Sequence, residues 1–219
     1  MCSVRMEPVW SSLGQATGVA AALAIDEKLE LKDVPVERVQ EELLRQGCVL
    51  FFYTDLPLDS PSFTAAQWLS FRGAVSGPDL EEASVEGKPE GLGSLELDAY
   101  RFRPDDPMTL AEFAPMVVNG LDIPLSITAS HFVDVPRGHR AFKYIETLYD
   151  HSTQSLDPFF DFEPNRGFTT ARAYPERAVT GSRAARILSG LLKREIAAPS
   201  GWEGYLTRGR AAQLVYQCL

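Results

Sequence analysis

Apolar residues recur along this chain mostly at helical spacing, which predicts a mainly α-helical protein. The first long apolar run ends at Ile25, and we expect its helix to end near Asp26, where charge returns. A second helix is expected after Asp33, a residue type that caps helices, and Gly47 should end it. The apolar stretch 48–52 that follows predicts either a strand or a buried connector.

Small side chains distinguish the first helix. Gly14 and Gly18 lie four residues apart and therefore on one face, and nearby alanines add little bulk. Such a surface lets a backbone or a flat ligand approach closely. We expect the amides from Gly14 to Thr17 to form the exposed, positive start of the helix, which suits an anionic or electron-rich group. Packing against a neighbouring helix or sheet would explain the same small residues without a ligand.

A turn-and-helix unit occurs twice in the rest of the chain. Tyr53-Thr-Asp-Leu-Pro57 returns as Phe132-Val-Asp-Val-Pro136, and apolar residues follow the proline at matching offsets in both copies. Gln67 and Glu146 occupy equivalent positions. We expect each aspartate to cap the amides of the helix that follows it, and each proline to fix the angle of entry.

A threonine motif occurs three times. Thr109, Thr180 and Thr207 are each followed by apolar residues four, five, seven and eight positions later. A threonine at this position can accept hydrogen bonds from backbone amides at the start of a helix. Three helices with capped starts are therefore predicted in the second part of the chain.

Composition narrows the class of protein. The chain has 219 residues, of which 45% are hydrophobic, enough for a core in one or two domains. Its net charge of -9 argues against partners that need a basic surface, such as nucleic acid or an anionic membrane. Three widely spaced cysteines indicate neither a disulfide framework nor a zinc site. No apolar run approaches the roughly 20 residues of a membrane span, and no export signal is recognisable.

Two motifs near the start carry a family resemblance. Arg5-Met-Glu-Pro-Val9 is followed by Gly14-Gln-Ala-x-Gly18-x-Ala-Ala-Ala-Leu-Ala24. This order resembles the C-terminal, flavin-contacting segment of FAD-dependent oxidoreductases, and it implies a helix whose start points at the isoalloxazine ring. The cofactor-binding residues that the resemblance implies are Arg5, Glu7, Gly14, Gln15, Ala16, Thr17 and Gly18.

The sequence also departs from that family. A flavin domain of this kind binds the ADP half of FAD through Gly-x-Gly-x-x-Gly, placed after a strand. Gly91-Leu-Gly93 lacks both the third glycine and the preceding apolar strand. We therefore interpret residues 1–50 as the incomplete C-terminal tail of an α/β flavin domain that does not bind FAD alone. Met1 would then be an internal methionine, a misassigned start or a cloning boundary, and no catalytic residue is indicated.

The repeats of residues 51–219 resemble a second family, the S-layer homology module. The matching residues are 132–136 with His139, Ala141 and Ile145, and 102–104 with Thr109, Ala111, Glu112, Phe113 and Ala114. The resemblance implies tandem helical pairs that pack about a pseudo-threefold axis and bind cell-wall polysaccharide.

The residues that would bind glycan in such a module are mostly replaced. Arg208 is the one arginine that directly follows a capping threonine, and His139 is followed by an arginine instead of an aromatic residue. An anionic sugar needs convergent arginines and an aromatic platform. We therefore favour a degenerate structural module, with Arg208 and His139 as its candidate glycan ligands.

Other candidate chemistry has simpler explanations. His131, His139 and His151 are spaced so that they do not share a helical face, and Asp134 is already explained as a cap. The insertions 76–98 and 152–172 predict exposed loops, and their carboxylates lack the spacing of a calcium loop.

Two hypotheses from different classes remain. The chain is either part of a flavin enzyme with an appended repeat domain, or a non-catalytic interaction module. The first implies FAD as cofactor and, as partner, the rest of the flavin domain or a second copy bound through the first helix. The second implies cell-wall polysaccharide or a protein partner. A location in the cell envelope or outside the cell would require an upstream signal.

Overall fold

A computed structural model describes residues 7–75, 101–127, 130–151, 172–202 and 204–219. Across these ranges the regular structure is helical, apart from three isolated β-bridges, so the prediction of a mainly α protein is confirmed. None of the described helices has the length and apolarity needed to cross a membrane. The predicted loop 76–98 and residues 152–171 of the second loop lie outside the described residues.

The chain divides into two compact units, of which the first ends at Phe51 and the second begins at Phe52. In the first unit both later elements pack against the first helix. Gly47 ends the last helix as predicted, with a φ of +82° and a hydrogen bond from the Cys48 amide to the Leu43 carbonyl of 2.9 Å. Stretch 48–52 is irregular instead of a strand. The elements are α1 (Glu7–Glu27), a 3₁₀ turn (Leu31–Asp33) and α2 (Val36–Arg45).

The second unit contains five described helices of two kinds. The helices α3 and α5 follow the Asp-x-Pro turns, whereas α4, α6 and α7 follow the three threonines. Helix α3 packs against α7 and α5 packs against α4, while α6 contacts both α5 and α7. Their bounds are α3 (Phe63–Phe71), α4 (Leu110–Gly120), α5 (Phe142–His151), α6 (Gly181–Leu192) and α7 (Arg208–Tyr216).

The three threonines cap their helices, as predicted. The Thr180 and Thr207 hydroxyl oxygens accept hydrogen bonds from the amides of Arg183 and Arg210, at 3.2 and 3.4 Å. Thr109 forms a capping box with Glu112. The Thr109 side chain accepts a hydrogen bond from the Glu112 amide, and the Glu112 carboxylate accepts one from the Thr109 amide at 3.0 Å. Each helix therefore begins where its sequence motif indicates.

The segments that carry these caps close into a ring. The amide of Val179 donates to the carbonyl of Met108 at 2.8 Å, Leu206 donates to Val179 at 2.7 Å, and Met108 donates to Leu206 at 2.9 Å. We call these three residues the backbone ring. All three are buried, and their segments 107–109, 178–180 and 205–207 are joined pairwise by the β-bridges. Three copies of one motif thus complete one another's hydrogen bonds.

Residues close to the backbone ring accept a hydrogen bond from the first amide of each helix. These amides have no carbonyl partner within their own helix. The Leu110 amide donates to the Arg177 carbonyl at 3.1 Å, and the Arg208 amide donates to the Asp106 carbonyl at 2.9 Å. In the third copy the Gly181 amide donates to Gly204 at 3.2 Å. Each helix start is therefore bonded to the segment of another copy.

The expected role of the two aspartates was wrong. Helices α3 and α5 each begin eight residues after their aspartate, too far for a side-chain cap. The Asp55 carboxylate instead accepts hydrogen bonds from the backbone amides of Phe102 and Arg103, at 2.7 and 2.8 Å. The carboxylate of Asp134 accepts the amides of Ala173 and Tyr174, at 2.9 and 2.8 Å. Each aspartate thus binds two backbone amides in the segment that precedes the next capping threonine. We call this pair of hydrogen bonds the aspartate clamp.

The clamped segments have an unusual backbone. Arg103 and Tyr174 adopt the left-handed conformation, with φ of 57° and 53°, and Gly201 adopts it at the matching position of the third copy, with φ of 86°. A side chain makes this conformation costly, whereas glycine adopts it freely. Two charge-assisted hydrogen bonds to each aspartate offset that cost at Arg103 and Tyr174.

The core of the second unit lies around α4. Side chains from all five helices and from the ring are almost fully enclosed there. They include Leu69, Phe102, Phe113, Met116, Ile145, Leu188 and Leu214. Buried apolar area of this kind is the main stabilising contribution to a fold.

Candidate functional site

The face of α1 that carries the small residues is open in the first unit. Gly14, Gly18 and Ala22 are exposed and follow one another at intervals of four residues. Apart from the adjoining residues and the backbone of α1 itself, no described atom lies within 4 Å of the position that a Cβ would take at Gly14 or Gly18. This face therefore has room for a flat group in van der Waals contact with the helix backbone.

The predicted helix start at Gly14 was wrong. Helix α1 begins seven residues earlier, at Glu7, and Pro8 lies in its first turn, where proline is well tolerated. The amides from Gly14 to Thr17 are therefore interior to the helix and bond to carbonyls of the preceding turn. One glycine costs a helix only about 1 kcal/mol relative to alanine, so Gly14 does not end it. The amides expected to face an electron-rich ligand are already in use.

A groove of about 430 Å³ lies between α1 and α2. Gln15 lines it, and its Nε2 lies 3.0 Å from the Cys48 Sγ and 3.5 Å from the Gln46 Oε1. The remaining lining residues are Gly18, Val19, Ala22, Leu23, Asp26, Glu42, Arg45 and Gln46. The Gln15 side chain is therefore directed at the end of α2.

Two arginines of α2 are ion-paired, and one of them, Arg45, lines this groove together with its partner Glu42. Arg45 donates to both carboxylate oxygens of Glu42, at 2.6 and 2.7 Å, and these hydrogen bonds lower the pKa of Glu42 to about 2. Arg38 contacts Glu27 and Glu41 in the same way, at 3.1 and 3.2 Å. Of these pairs, only Arg38–Glu27 joins α2 to α1, and the other two lie within α2.

Of the other predicted cofactor-binding residues, three lie in α1 and one lies outside the described residues. Glu7 opens α1, and Ala16 and Thr17 lie in its interior, where the Thr17 hydroxyl donates to the Leu13 carbonyl at 2.8 Å. Arg5 lies outside the described residues. The structure thus brings Gly14 and Gly18 together on one face, and the role of the whole set in binding a cofactor stays a prediction.

In the second unit, the candidate glycan ligand Arg208 is ion-paired. Its guanidinium donates to a Glu112 carboxylate oxygen at 2.6 Å, and the two side chains are only 13% and 24% exposed. Tyr53 lies nearby, with its hydroxyl 2.5 Å from the Ser70 Oγ. Burial raises the pKa of Tyr53, and the charge of Arg208 partly opposes that rise. Arg208 therefore links α7 to α4, and Glu112 compensates its charge.

The other candidate glycan ligand, His139, has different partners. Its Nε2 lies 3.3 Å from a Glu176 oxygen, and its Nδ1 accepts the Ala141 amide at 3.1 Å. His139 and Arg208 thus belong to separate groups of contacts.

Each of the other two histidines also has its own hydrogen-bond partner. The Nδ1 of His131 lies 2.6 Å from a carboxylate oxygen of the fully buried Glu146, and the His151 Nε2 donates to the Pro124 carbonyl at 2.9 Å. Among the residues that the structure describes, no group of three histidine, cysteine, aspartate or glutamate side chains could hold a metal ion.

The structure contains a contact between Arg210 and Trp202 that the sequence patterns did not predict. The Arg210 guanidinium lies 5.6 Å from the centre of the Trp202 ring, and Tyr205 is 64% exposed on the same segment. The signal that could have found the pair was the placement of Trp202 five residues before a capping threonine, where the other copies have a proline.

One comparison with known proteins bears on the first unit. The family model described as FAD dependent oxidoreductase matches residues 1–43, which contain α1 and most of α2. No curated protein matches the chain. The match supports the resemblance of the first residues to an FAD-dependent oxidoreductase. The S-layer homology resemblance of the later residues stays a prediction.

Proposed function

We propose that this chain is a portion of an FAD-dependent oxidoreductase, in which the first unit forms one wall of the flavin pocket. The observation that carries the proposal is the family match over residues 1–43. In this proposal the second unit is an appended, non-catalytic module, because its candidate ligands are held in structural contacts. The redox chemistry would then belong to FAD, and the protein would supply binding and orientation.

The residues present fit FAD in part. The open face at Gly14 and Gly18 has the space that a flat ring needs. The amides from Gly14 to Thr17 do not fit the role of donors, because they are interior to α1. No Gly-x-Gly-x-x-Gly segment is present to hold the pyrophosphate. The first unit would therefore contribute packing and exclusion of water, and other residues would hold the nucleotide.

The surface of α1 supports a role as one part of a larger domain. Trp10 and Leu13 are exposed at 58% and 50%, next to the small residues. Contiguous apolar patches mark surfaces that a partner covers, and in this proposal these two side chains belong to such a patch. In this proposal the partner is the rest of the flavin domain, and association of two copies through α1 is the competing arrangement.

The first test uses the chain as it stands. Purified protein is titrated with FAD and separated from free flavin, and bound flavin is read from its visible absorbance. We expect no retained flavin, since the nucleotide half of the site is missing. Stoichiometric yellow protein would contradict the proposal that the first unit holds only part of the pocket.

The second test supplies the missing part. The genomic frame upstream of Met1 is expected to encode Gly-x-Gly-x-x-Gly, and the extended chain should retain FAD. Gly18→Leu in that longer chain should reduce flavin retention at least tenfold, because the new side chain fills the open face. Gly138→Leu, in the second unit and also without a neighbour near the added Cβ, is the matched control. An unaltered flavin content in the Gly18 variant would remove α1 from the pocket.

A second candidate function belongs to the second unit. We propose, as the alternative, that it is an S-layer homology-like module that binds cell-wall polysaccharide or a protein. The observation that favours it is the backbone ring, which relates three capped helices in the way that the resemblance implies.

Sedimentation with isolated cell-wall polysaccharide tests this alternative. Binding that is lost in Arg208→Ala and retained in Arg186→Ala, an exposed arginine on α6, would establish a glycan site at Arg208. Absence of sedimentation in the unaltered protein would leave the second unit as a structural module.

A further inference from the structure

All three histidines of the chain lie around one helix, α5. His131 contacts Glu146 on that helix, His139 lies in the turn before it, and His151 is its last residue. The equivalent positions of the first copy of the turn-and-helix unit are Phe52, Ser60 and Arg72. The two copies thus share a fold, and only the second can titrate through histidine.

The contacts of two of these histidines are compatible with a charged ring. The Nδ1 of His131 faces a carboxylate oxygen of Glu146, and the Nε2 of His151 donates to a backbone carbonyl. A ring nitrogen can donate to an oxygen in both the neutral and the protonated state. Protonation of these two rings therefore preserves their hydrogen bonds.

His139 differs because its ring nitrogen is an acceptor. A backbone amide can only donate, so the Ala141 amide at 3.1 Å requires a lone pair on the His139 Nδ1. Protonation of Nδ1 removes that lone pair and places two donors face to face. Ala141 is almost fully buried, so solvent does not readily replace the lost acceptor.

The first copy makes the same hydrogen bond with a group that does not titrate. The Ser62 amide donates to the Ser60 Oγ at 3.4 Å, and the carbonyls of Pro57 and Pro136 accept equivalent turn hydrogen bonds at 3.0 and 2.8 Å. Ser60 and His139 therefore have one structural role. The first turn is an internal control for the second.

Several charged groups lie in this turn and on the helices that pack against α5. Glu176 lies 3.3 Å from the Nε2, and Arg140 lies 3.7 Å from the other Glu176 oxygen. In the same turn, the Asp134 carboxylate is held by two amides. The helices that pack against α5 contribute Glu112, ion-paired to Arg208, and two arginines. These arginines are Arg183, which donates to the Ala173 carbonyl, and the exposed Arg186.

We propose that the turn before α5 is a proton-sensitive latch. Neutral His139 holds the Ala141 amide and so fixes the start of α5. When the ring takes up a proton, it leaves Ala141 and stays with Glu176, and the Ala141 amide loses its hydrogen-bond partner at the start of α5. The turn before α3, which has Ser60 at this position, stays closed under the same conditions.

Amide hydrogen exchange measured by NMR tests the latch. Protection factors, corrected for the intrinsic exchange rate at each pH, are compared between pH 7.5 and 5.5, the range in which histidines commonly titrate. We expect protection at Ala141 to fall about two- to tenfold, as for the loss of one hydrogen bond, and protection at Ser62 to stay constant. Equal behaviour of the two amides would overturn the proposal.

The variant His139→Ser copies the residue of the first turn and should remove the response to pH while keeping Ala141 protected. The same pH response in that variant would assign it to another group and overturn the latch. The ¹⁵N shift of the His139 Nδ1 at pH 7.5 gives an independent measurement that does not depend on folding of the variant. It should report an unprotonated acceptor, and a protonated Nδ1 would contradict the proposal.

Discussion

The two units of this protein bury their apolar side chains to different degrees. In the first unit Trp10, Ile25 and Val36 are 58%, 77% and 65% exposed. In the second unit the members of the backbone ring are all enclosed, and core side chains come from every described helix. The helices of the first unit therefore do not complete a core with each other, whereas those of the second do.

This difference shows how a family match and a self-contained fold can fall on separate parts of one chain. The match to FAD dependent oxidoreductases covers residues 1–43, where the apolar surface is open. The enclosed unit lies entirely beyond that match. Substitutions that compare the two units should therefore have unequal effects.

The largest expected effect is in the backbone ring. Leu206→Ala removes a fully buried side chain and should lower the free energy of unfolding of the second unit by about 3–5 kcal/mol. Leu13→Ala in α1, where leucine is exposed, should change the free energy of unfolding of the first unit by less than about 0.5 kcal/mol. Urea unfolding is followed for the second unit by near-ultraviolet circular dichroism of the packed Trp68–Tyr216 pair, and for the first unit by the ¹³Cα shifts of α1. Equal losses in the free energy of unfolding would contradict the conclusion that the two units bury their apolar side chains to different degrees.

Removing an aspartate clamp should have the next largest effect. Asp134→Ala leaves the amides of Ala173 and Tyr174 without their carboxylate, at a cost of about 3 kcal/mol. Asp134→Asn keeps one acceptor and should lose about half as much. Urea midpoints of the two variants check this order. A fully stable alanine variant would show that the left-handed backbone at Tyr174 needs no clamp.

A methyl group at Gly181 should have a smaller effect. A Cβ at that position would clash with the Trp202 carbonyl oxygen, and Gly181→Ala should cost about 1–3 kcal/mol through overpacking. Gly138→Ala, where the same methyl group meets no atom within 4 Å, is the control. Thermal unfolding of both variants measures the difference. A melting temperature of Gly181→Ala equal to that of the control would show that the contact relaxes freely.

The smallest expected effect is on the surface of the first unit. The pKa of Glu42 is lowered to about 2 by Arg45, so the folded carboxyl group binds its proton less tightly than the unfolded one does. The stabilisation is present above the unfolded pKa of about 4.3 and is lost as pH falls towards 2. The helicity of α2, measured from ¹³Cα shifts, should decline over that range, and Glu42→Gln should flatten the decline.

Local signals in the sequence predicted several parts of the fold. A capping threonine or a terminating glycine acts on amides and carbonyls within one turn, so Thr109, Thr180, Thr207 and Gly47 could be recognised from neighbouring residues. The repeated spacing also related the copies to one another. These features depend on short stretches of chain.

Two other features of the fold were not predicted from the sequence. The aspartate contacts depend on residues far apart in the chain, and the start of α1 depends on a small difference in helix propensity. Asp55 and Asp134 act on backbone amides about 40 to 50 residues later, and a local motif does not specify that distance. Gly201 was the available signal, because a glycine at the matching position of the third copy indicates a left-handed backbone. At Gly14 the predicted helix start was wrong because α1 tolerates the glycine at a cost of only about 1 kcal/mol and continues through it.

The backbone ring constrains how the second unit forms during protein synthesis. Met108 and Val179 are made well before Leu206, and both need Leu206 to complete their hydrogen bonds. At about 5–20 residues per second, a ribosome takes several seconds to add the residues between Met108 and Leu206. During that interval α3, α4 and α6 lack the helix α7 that packs against them in the finished protein. A nascent chain stalled before α7 therefore lacks both the Leu206 hydrogen bonds and the apolar contacts of α7.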